Sequence, residues 1–140
     1  EIWKDVFQVN FFTPLLLARK LKSHLQRGSG SIVNITSIAG SRVHKFAGSA
    51  YATSKAALAA LTREMASDFG PLGIRVNAIA PGEIATDMVS PESEKYIAPK
   101  IPLRRFGTPD EIADTIFFLC SEKSLYLNGS EIHVNGGQHV

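Results

Sequence analysis

Residues 31–69 decide the fold: Ser31-Ile32-Val33-Asn34-Ile35-Thr36-Ser37, a loop holding Gly40 and Gly48, then a run in which Tyr51-Ala52-Thr53-Ser54-Lys55 opens an alanine-rich stretch. The first seven residues are short and β-branched, which reads as a strand. Residues 49–69 carry Leu58, Leu61 and Met65 at helical spacing. Gly70-Pro71-Leu72-Gly73 turns the chain into residues 74–80, a second strand stopped by Pro81-Gly82.

Working outward, residues 2–26 read as a helix. Ile2, Val6, Val9, Phe12, Leu16, Leu17 and Leu21 recur at three- and four-residue steps, and Lys20, Lys22 and Arg27 gather at the far end. Pro14 lies inside it and predicts a kink or local irregularity. Gly28-Ser29-Gly30 ends the segment. Residues 83–107 read as irregular, broken by Pro91, Pro99, Pro102 and Gly107. Thr108-Pro109-Asp110-Glu111 then starts a third helix with a capping box, running to about residue 121 and turning Ile112, Ile116, Phe117 and Leu119 inward. After the Asn128-Gly129 turn, residues 130–134 form a last strand, closed by Gly136-Gly137. The order α-β-α-β-α-β predicts right-handed crossovers and a parallel sheet covered on both faces.

The 140 residues amount to one domain, 44% hydrophobic and 20% charged, a globular mix able to bury a core without metal or disulfides. One cysteine, Cys120, rules out an intrachain disulfide and fits a reducing compartment, so a cytoplasmic protein is expected. Net charge is +2 without a basic run, which argues against a nucleic-acid or membrane-surface partner. The opening Glu-Ile-Trp-Lys-Asp sits inside an amphipathic pattern with no cap, as expected of a segment cut from something longer.

Tyr51 and Lys55 lie four apart, one above the other on a helical face. A free phenol ionises near pH 10, too high for a general base at neutral pH, and a fixed ammonium nearby favours the phenolate. The same ammonium can donate to sugar hydroxyls. Ser37 closes a strand fourteen positions earlier. In a parallel sheet, ligands bind at the C-terminal strand ends, where Ser37 could meet Tyr51 and hydrogen-bond a reacting oxygen. Pro81-Gly82-Glu83-Ile84-Ala85-Thr86 leaves the next strand at the same rim.

The order Asn10, Ser37, Tyr51-x-x-x-Lys55, Pro81-Gly82-x-Ile84-x-Thr86 resembles the short-chain dehydrogenase/reductase family. The resemblance covers essentially the whole chain, extending to residues 76–82, 102–113 and the closing Val134-Asn135-Gly136-Gly137. It implies the C-terminal half of a doubly wound, Rossmann-type parallel sheet in three layers (α/β/α), an NAD- or NADP-dependent oxidoreductase, and a homotetramer or dimer. Residue by residue, Tyr51 would be the general acid/base, Lys55 would lower its proton affinity and hold the nicotinamide ribose, and Ser37 would orient the substrate oxygen. Asn10 would hold a water that continues a proton relay. Pro81, Gly82, Ile84 and Thr86 would line the nicotinamide, with Ile84 and Thr86 fixing its carboxamide. The family's Ser–Tyr gap is usually one residue shorter, a difference the loop can absorb.

The family's glycine-rich phosphate loop, Asn-Asn-Ala-Gly stretch and ribose-reading residue do not occur here, so the chain reads as a partial NAD(P)-binding domain, and NAD against NADP stays open. Residues 83–107 stand where the family places its substrate-covering loop. Lys95, Lys100, Arg104 and Arg105 there either welcome an anionic substrate or form a solvated lid face. The substrate is expected to be a small molecule, a secondary alcohol or its ketone of the polyol, sugar or 3-oxoacyl type. A silent scaffold on the same fold is the main rival. A serine hydrolase would need a Gly-x-Ser-x-Gly elbow, which Ser37 lacks. His24, His44, His133 and His139 show no ligand spacing, read as single surface or loop histidines, and imply no metal. The 140-residue segment by itself is expected to bind nicotinamide cofactor weakly; a calorimetric dissociation constant in the low micromolar range would contradict this.

Overall fold

The computed structural model describes residues 1–87 and 89–140, with the backbone alone for Pro91 and Ser93. The chain begins with two α-helices, α1 (Ile2–Phe7) and α2 (Thr13–Arg27), joined by a wide π turn over Gln8–Phe12. The helix expected over residues 2–26 is thus interrupted, and Pro14 accounts for the place. Its nitrogen has no hydrogen to give the Asn10 carbonyl, four residues back, and its ring crowds that oxygen. The turn widens to accommodate it: the Thr13 N–H bonds the Gln8 carbonyl five positions back, and the Thr13 hydroxyl donates to the same oxygen at 2.8 Å.

Three parallel strands follow, β1 (Ser31–Ile35), β2 (Arg75–Pro81) and β3 (Glu131–Val134), in the spatial order β1-β2-β3. The extended chain of β1 runs on past its last laddered residue. The Thr36 N–H donates to the Ile79 carbonyl at 2.8 Å, and Ser37 is still extended at φ −168°. Helix α3 (Ser49–Phe69) links β1 to β2. Between β2 and β3 come a short helix α4 (Pro91–Ile97) and α5 (Pro109–Cys120). The segment 83–107, expected to be irregular, therefore contains a helix. Pro91 starts it, at the position where a proline costs no hydrogen bond.

Side chains alternate across the sheet. Ile32 and Val76 pack with Ala18 of α2 and with Met65, Ala66 and Phe69 of α3. On the same face, buried Asn34 donates to the Thr62 hydroxyl at 2.9 Å. On the opposite face, Ser31 donates to the Leu119 carbonyl and Arg75 to the Ser121 carbonyl, which places α5 there. The sheet is covered on both faces, in three layers, as expected. Because the strand order advances in one direction while α3 and α5 lie on opposite faces, the two crossovers have opposite hands. The expectation of uniformly right-handed crossovers does not hold: the long β2-to-β3 connection first passes over the strand ends through α4.

Helix α5 buries Leu119 and half-buries Ile112 and Ile116, but leaves Phe117 77% exposed. The expectation that Phe117 faces inward fails because the stripe Ile112, Ile116, Leu119 already fills the core side. A neighbour one residue along points about 100° away. At the start of α5, the capping box forms as read: Thr108 Oγ1 accepts from the Glu111 N–H, and the Glu111 carboxylate accepts from the Thr108 N–H at 2.8 Å. Arg105 grips the same carboxylate with two bonds of 2.6 and 2.8 Å. The Arg105 bonds first, and the Thr108 N–H second, hold the Glu111 carboxyl down at about 2.

Since that value lies below the unfolded one, the stabilisation is present above the ordinary carboxylate range and is lost as pH falls from there through about 2. Arg105→Ala should move the Glu111 titration back toward the ordinary value. Carbon-detected NMR of the side-chain carboxyl reads this directly, and an unchanged midpoint would contradict the pairing.

Candidate active site

Strand β1 and the start of α3 are held together at unusually close range. Gly40 ends a single 3-10 turn, Ile38–Gly40, that follows Ser37. A Cβ on Gly40 would lie 2.9 Å from the Ala56 nitrogen and 3.0 Å from the Lys55 carbonyl carbon, both backbone atoms of α3. Only glycine lets the turn sit on the helix this way. The contact seats the residues after Ser37 against the helical turn that carries Tyr51 and Lys55.

The Ser37 hydroxyl caps the turn by accepting from the Ala39 N–H at 3.1 Å. That leaves its own proton without an acceptor among the described residues. Tyr51 is 37% exposed, and among the described residues its hydroxyl makes no hydrogen bond. Ser37, Tyr51 and Gly82 line one cleft of about 370 Å³, walled also by Ile38, Phe46 and Val89. Of the three sequence features expected on one rim, Ser37 and Tyr51 meet here with Gly82 and Glu83 of the third, while Pro81, Ile84 and Thr86 do not line this cleft.

Lys55 does not line this cleft but a neighbouring groove. Its ammonium lies 5.6 Å from the centroid of the Tyr51 ring and donates to the Ile35 carbonyl at 2.7 Å. Burial lowers its pKa. The charged form is therefore disfavoured in the folded state, a penalty relieved as pH rises between the lowered value and the ordinary one. Asn10, on the π turn, donates to the Ser54 hydroxyl at 3.0 Å, and Ser54, fully buried, donates to the Tyr51 carbonyl at 2.8 Å. Asn10 thus touches the helix bearing Tyr51 and shares with Lys55 a groove of about 450 Å³ along the outer edge of β1.

After Gly82 the chain forms a parallel bridge between Ile84 and Gly107. The Gly107 N–H donates to the Glu83 carbonyl, and the Ala85 N–H to the Gly107 carbonyl. Strand geometry turns the N–H and C=O of Ile84 itself to the opposite side, where neither is bonded among the described residues. Thr86 is exposed. Gly82 has a packing reason too: a Cβ there would strike the Gln138 side chain and come within 2.7 Å of Asn135 Cβ.

Two features escaped the sequence reading. His44 Nε2 lies 2.9 Å from Glu83 Oε1, and both side chains, 23% exposed, face the cleft. His133 and His139 stack with centroids 4.2 Å apart, and His139 Nδ1 meets the Asn135 side-chain oxygen Oδ1 at 2.8 Å. His44 lies in a loop and His133 and His139 are exposed, as read, but none of the three is solitary. Contact across 39 positions leaves no local signal, although an acidic residue directly after Pro81-Gly82 was a hint. No group of three or more His, Cys, Asp or Glu among the described residues could hold a metal ion. No helix among the described residues is long and apolar enough to cross a membrane.

A parallel sheet under helices, with hydroxyls and an ammonium gathered at its C-terminal rim, defines an α/β domain of the Rossmann type. Residues 1–139 match the family model described as enoyl-(acyl carrier protein) reductase, and the chain belongs to this short-chain dehydrogenase/reductase family. It is 64% identical over 140 residues to Protein FixR of Bradyrhizobium diazoefficiens, matching all of this chain and 50% of that protein. A short-chain dehydrogenase/reductase family oxidoreductase from Brucella ovis, solved in complex with a partially ordered NAD, is 61% identical with a TM-score of 0.76, over 96% of this chain and 52% of its own. A 3-oxoacyl-[acyl-carrier protein] reductase from Brucella melitensis with bound NAD is 34% identical with a TM-score of 0.91, over 99% of this chain and 52% of its own. The chain spans about half the length of the relatives it matches.

The Gly40 contact gives a stability test. Gly40→Ala should cost about 1–3 kcal/mol by forcing the turn off α3. Gly28→Ala, where the nearest atom would be 3.9 Å away, serves as the control. Equal shifts of the two melting temperatures in calorimetry would contradict the close approach.

Proposed function

We propose that the protein of which this chain is the C-terminal portion is an NAD- or NADP-dependent oxidoreductase that interconverts a secondary alcohol and its ketone, with Tyr51 as general acid/base. One observation carries the reading: two uncommitted hydroxyl protons, those of Ser37 and Tyr51, line a single cleft, and the Lys55 ammonium lies 5.6 Å from the centroid of the Tyr51 ring. A carbonyl oxygen in that cleft would accept from both. Ser37 is suited to donate because its oxygen already accepts from the Ala39 N–H while its proton has no acceptor among the described residues. Tyr51 would pass its proton to the oxygen as reduction proceeds and take it back in oxidation.

The chain's own residues fit a nicotinamide. Ile84 offers an unpaired N–H and C=O side by side, the complement of a carboxamide. Thr86 supplies an exposed hydroxyl two residues on, with Pro81 and Gly82 leading in from β2. Lys55 spends one of its three donors on Ile35, which leaves two for ribose hydroxyls. When bound, the cofactor supplies or accepts the hydride. Asn10 would hold a water that extends proton exchange from Lys55 to solvent. The support is that Pro14 denies its carbonyl a helical donor, and that both residues line one groove.

Residues 83–107 act in this reading as the substrate-covering segment, since Val89, Ile97 and Phe106 wall the cleft. The substrate is of the polyol, sugar or 3-oxoacyl type; a relative named as a 3-oxoacyl-[acyl-carrier protein] reductase favours the last. A cytoplasmic homotetramer or dimer fits the exposed apolar side chains of α1, α2 and α5, among them Ile2, Leu17 and Phe117. In the full-length protein, Tyr51→Phe should lower kcat by at least about a hundredfold with little change in cofactor affinity. Equal turnover would favour a scaffold over an enzyme.

A further inference from the structure

Beyond the hydroxyl-lined cleft lies a second cavity of about 360 Å³ that shares five wall residues with it, His44 and Glu83 included. The two cavities adjoin at these shared residues. The second cavity is lined by three cations, Arg42, Lys45 and Lys100. Glu83 is the one side-chain carboxylate in its wall, and it is already paired with His44. Among the described residues the only ion pairs are His44–Glu83 and Arg105–Glu111, so none of the three cations has an acidic partner. Lys100 is held in place from one side, its ammonium 3.3 Å from the centroid of the Tyr96 ring.

The four cations of the 83–107 segment divide on this evidence of contacts. Arg105 is bound to Glu111, Arg104 donates to the Pro99 carbonyl, and Lys95 lines neither cavity. Lys100 alone faces the ligand space, joined by Arg42 and Lys45 from the loop between Ser37 and Tyr51. Uncompensated positive charge in a concave wall focuses potential on whatever enters it. Lysine and arginine can donate to the hydroxyls of a neutral sugar or polyol, but a carboxylate or phosphate would gain hydrogen bonds between two charged groups, roughly twice as strong as those between neutral ones.

We infer that the substrate carries an anionic group, a carboxylate or a phosphate, and that Arg42, Lys45 and Lys100 hold it in the second cavity while the reacting carbonyl lies between Ser37 and Tyr51. This deepens the proposed reaction and rests on it for the placement of the carbonyl.

The test is calorimetric titration of the full-length protein, saturated with NAD, using two matched pairs of probes. Acetoacetate and ethyl acetoacetate differ by a carboxylate. Acetoacetyl-coenzyme A and acetoacetyl-N-acetylcysteamine differ by the phosphate-bearing portion. In at least one pair the anionic member should bind about tenfold tighter or more at low ionic strength, and which pair shows the gap identifies the anion. The gap should close in the triple variant Arg42→Gln/Lys45→Gln/Lys100→Gln and in about 0.5 M salt. Single variants should each narrow it, should the triple variant lose its fold. Tyr51→Phe should abolish turnover and keep the gap. Equal affinities within both pairs, no binding by any probe, or a gap that survives the charge substitutions would overturn the inference. A gap that persists beside unchanged Tyr51→Phe turnover would overturn the hydride-transfer reading alone.

Discussion

The close approach of Gly40 to the backbone of α3 is the constraint on which the site depends. Without a side chain at that position, the turn after β1 rests directly on Lys55 and Ala56. The reach of the whole arrangement follows from it. Ser37 stands just before the turn and Tyr51 one helical turn before the contact, so the two hydroxyls open onto one cleft. Lys55 lies at the contact and bonds the last residue of β1, Ile35, tying the same helix to the same strand a second time. Two hydrogen bonds through Ser54 add the first helical segment to this unit.

The sheet supplies the second constraint. Three parallel strands bring their C-terminal ends to one rim, and the chain leaves β2 there through Gly82, packed against Asn135 and Gln138 that follow β3. Both walls of the cleft are therefore anchored in sheet hydrogen bonds, one through the β1 turn and one through the β2 exit. His44–Glu83 bridges the two walls. The long return from β2 to β3 crosses over this rim, which explains both the opposite hand of its crossover and the presence of Val89, Ile97 and Phe106 above the hydroxyls.

Much of this was legible in the sequence, for identifiable reasons. Glycine and proline mark the element boundaries, so the strands at residues 31–37 and 74–80 and the helix at 49–69 match the structure within a residue or two. The capping box at Thr108 and the irregularity at Pro14 are local chemistry and were read as such. The rule that ligands sit at parallel strand ends was enough to gather Ser37, Tyr51 and Gly82 on one rim. What escaped depends on distance or on facing. The His44–Glu83 pair and the His133–His139 stack join residues with no shared period. Phe117 lost the competition for the inner stripe of α5, which only packing decides. Helix α4 was hidden by the prolines around it. The basic second cavity unites a loop before Tyr51 with a segment after Gly82, so neither half announced it.

A crystal structure of the full-length protein with NAD and a bound ketone or alcohol tests the central claim most directly. The account predicts the substrate oxygen within about 3.2 Å of both the Tyr51 hydroxyl and Ser37 Oγ, with Lys55 bonded to the ribose hydroxyls as well as to Ile35. A substrate seated elsewhere, with Tyr51 and Ser37 bonded only to water, would contradict it.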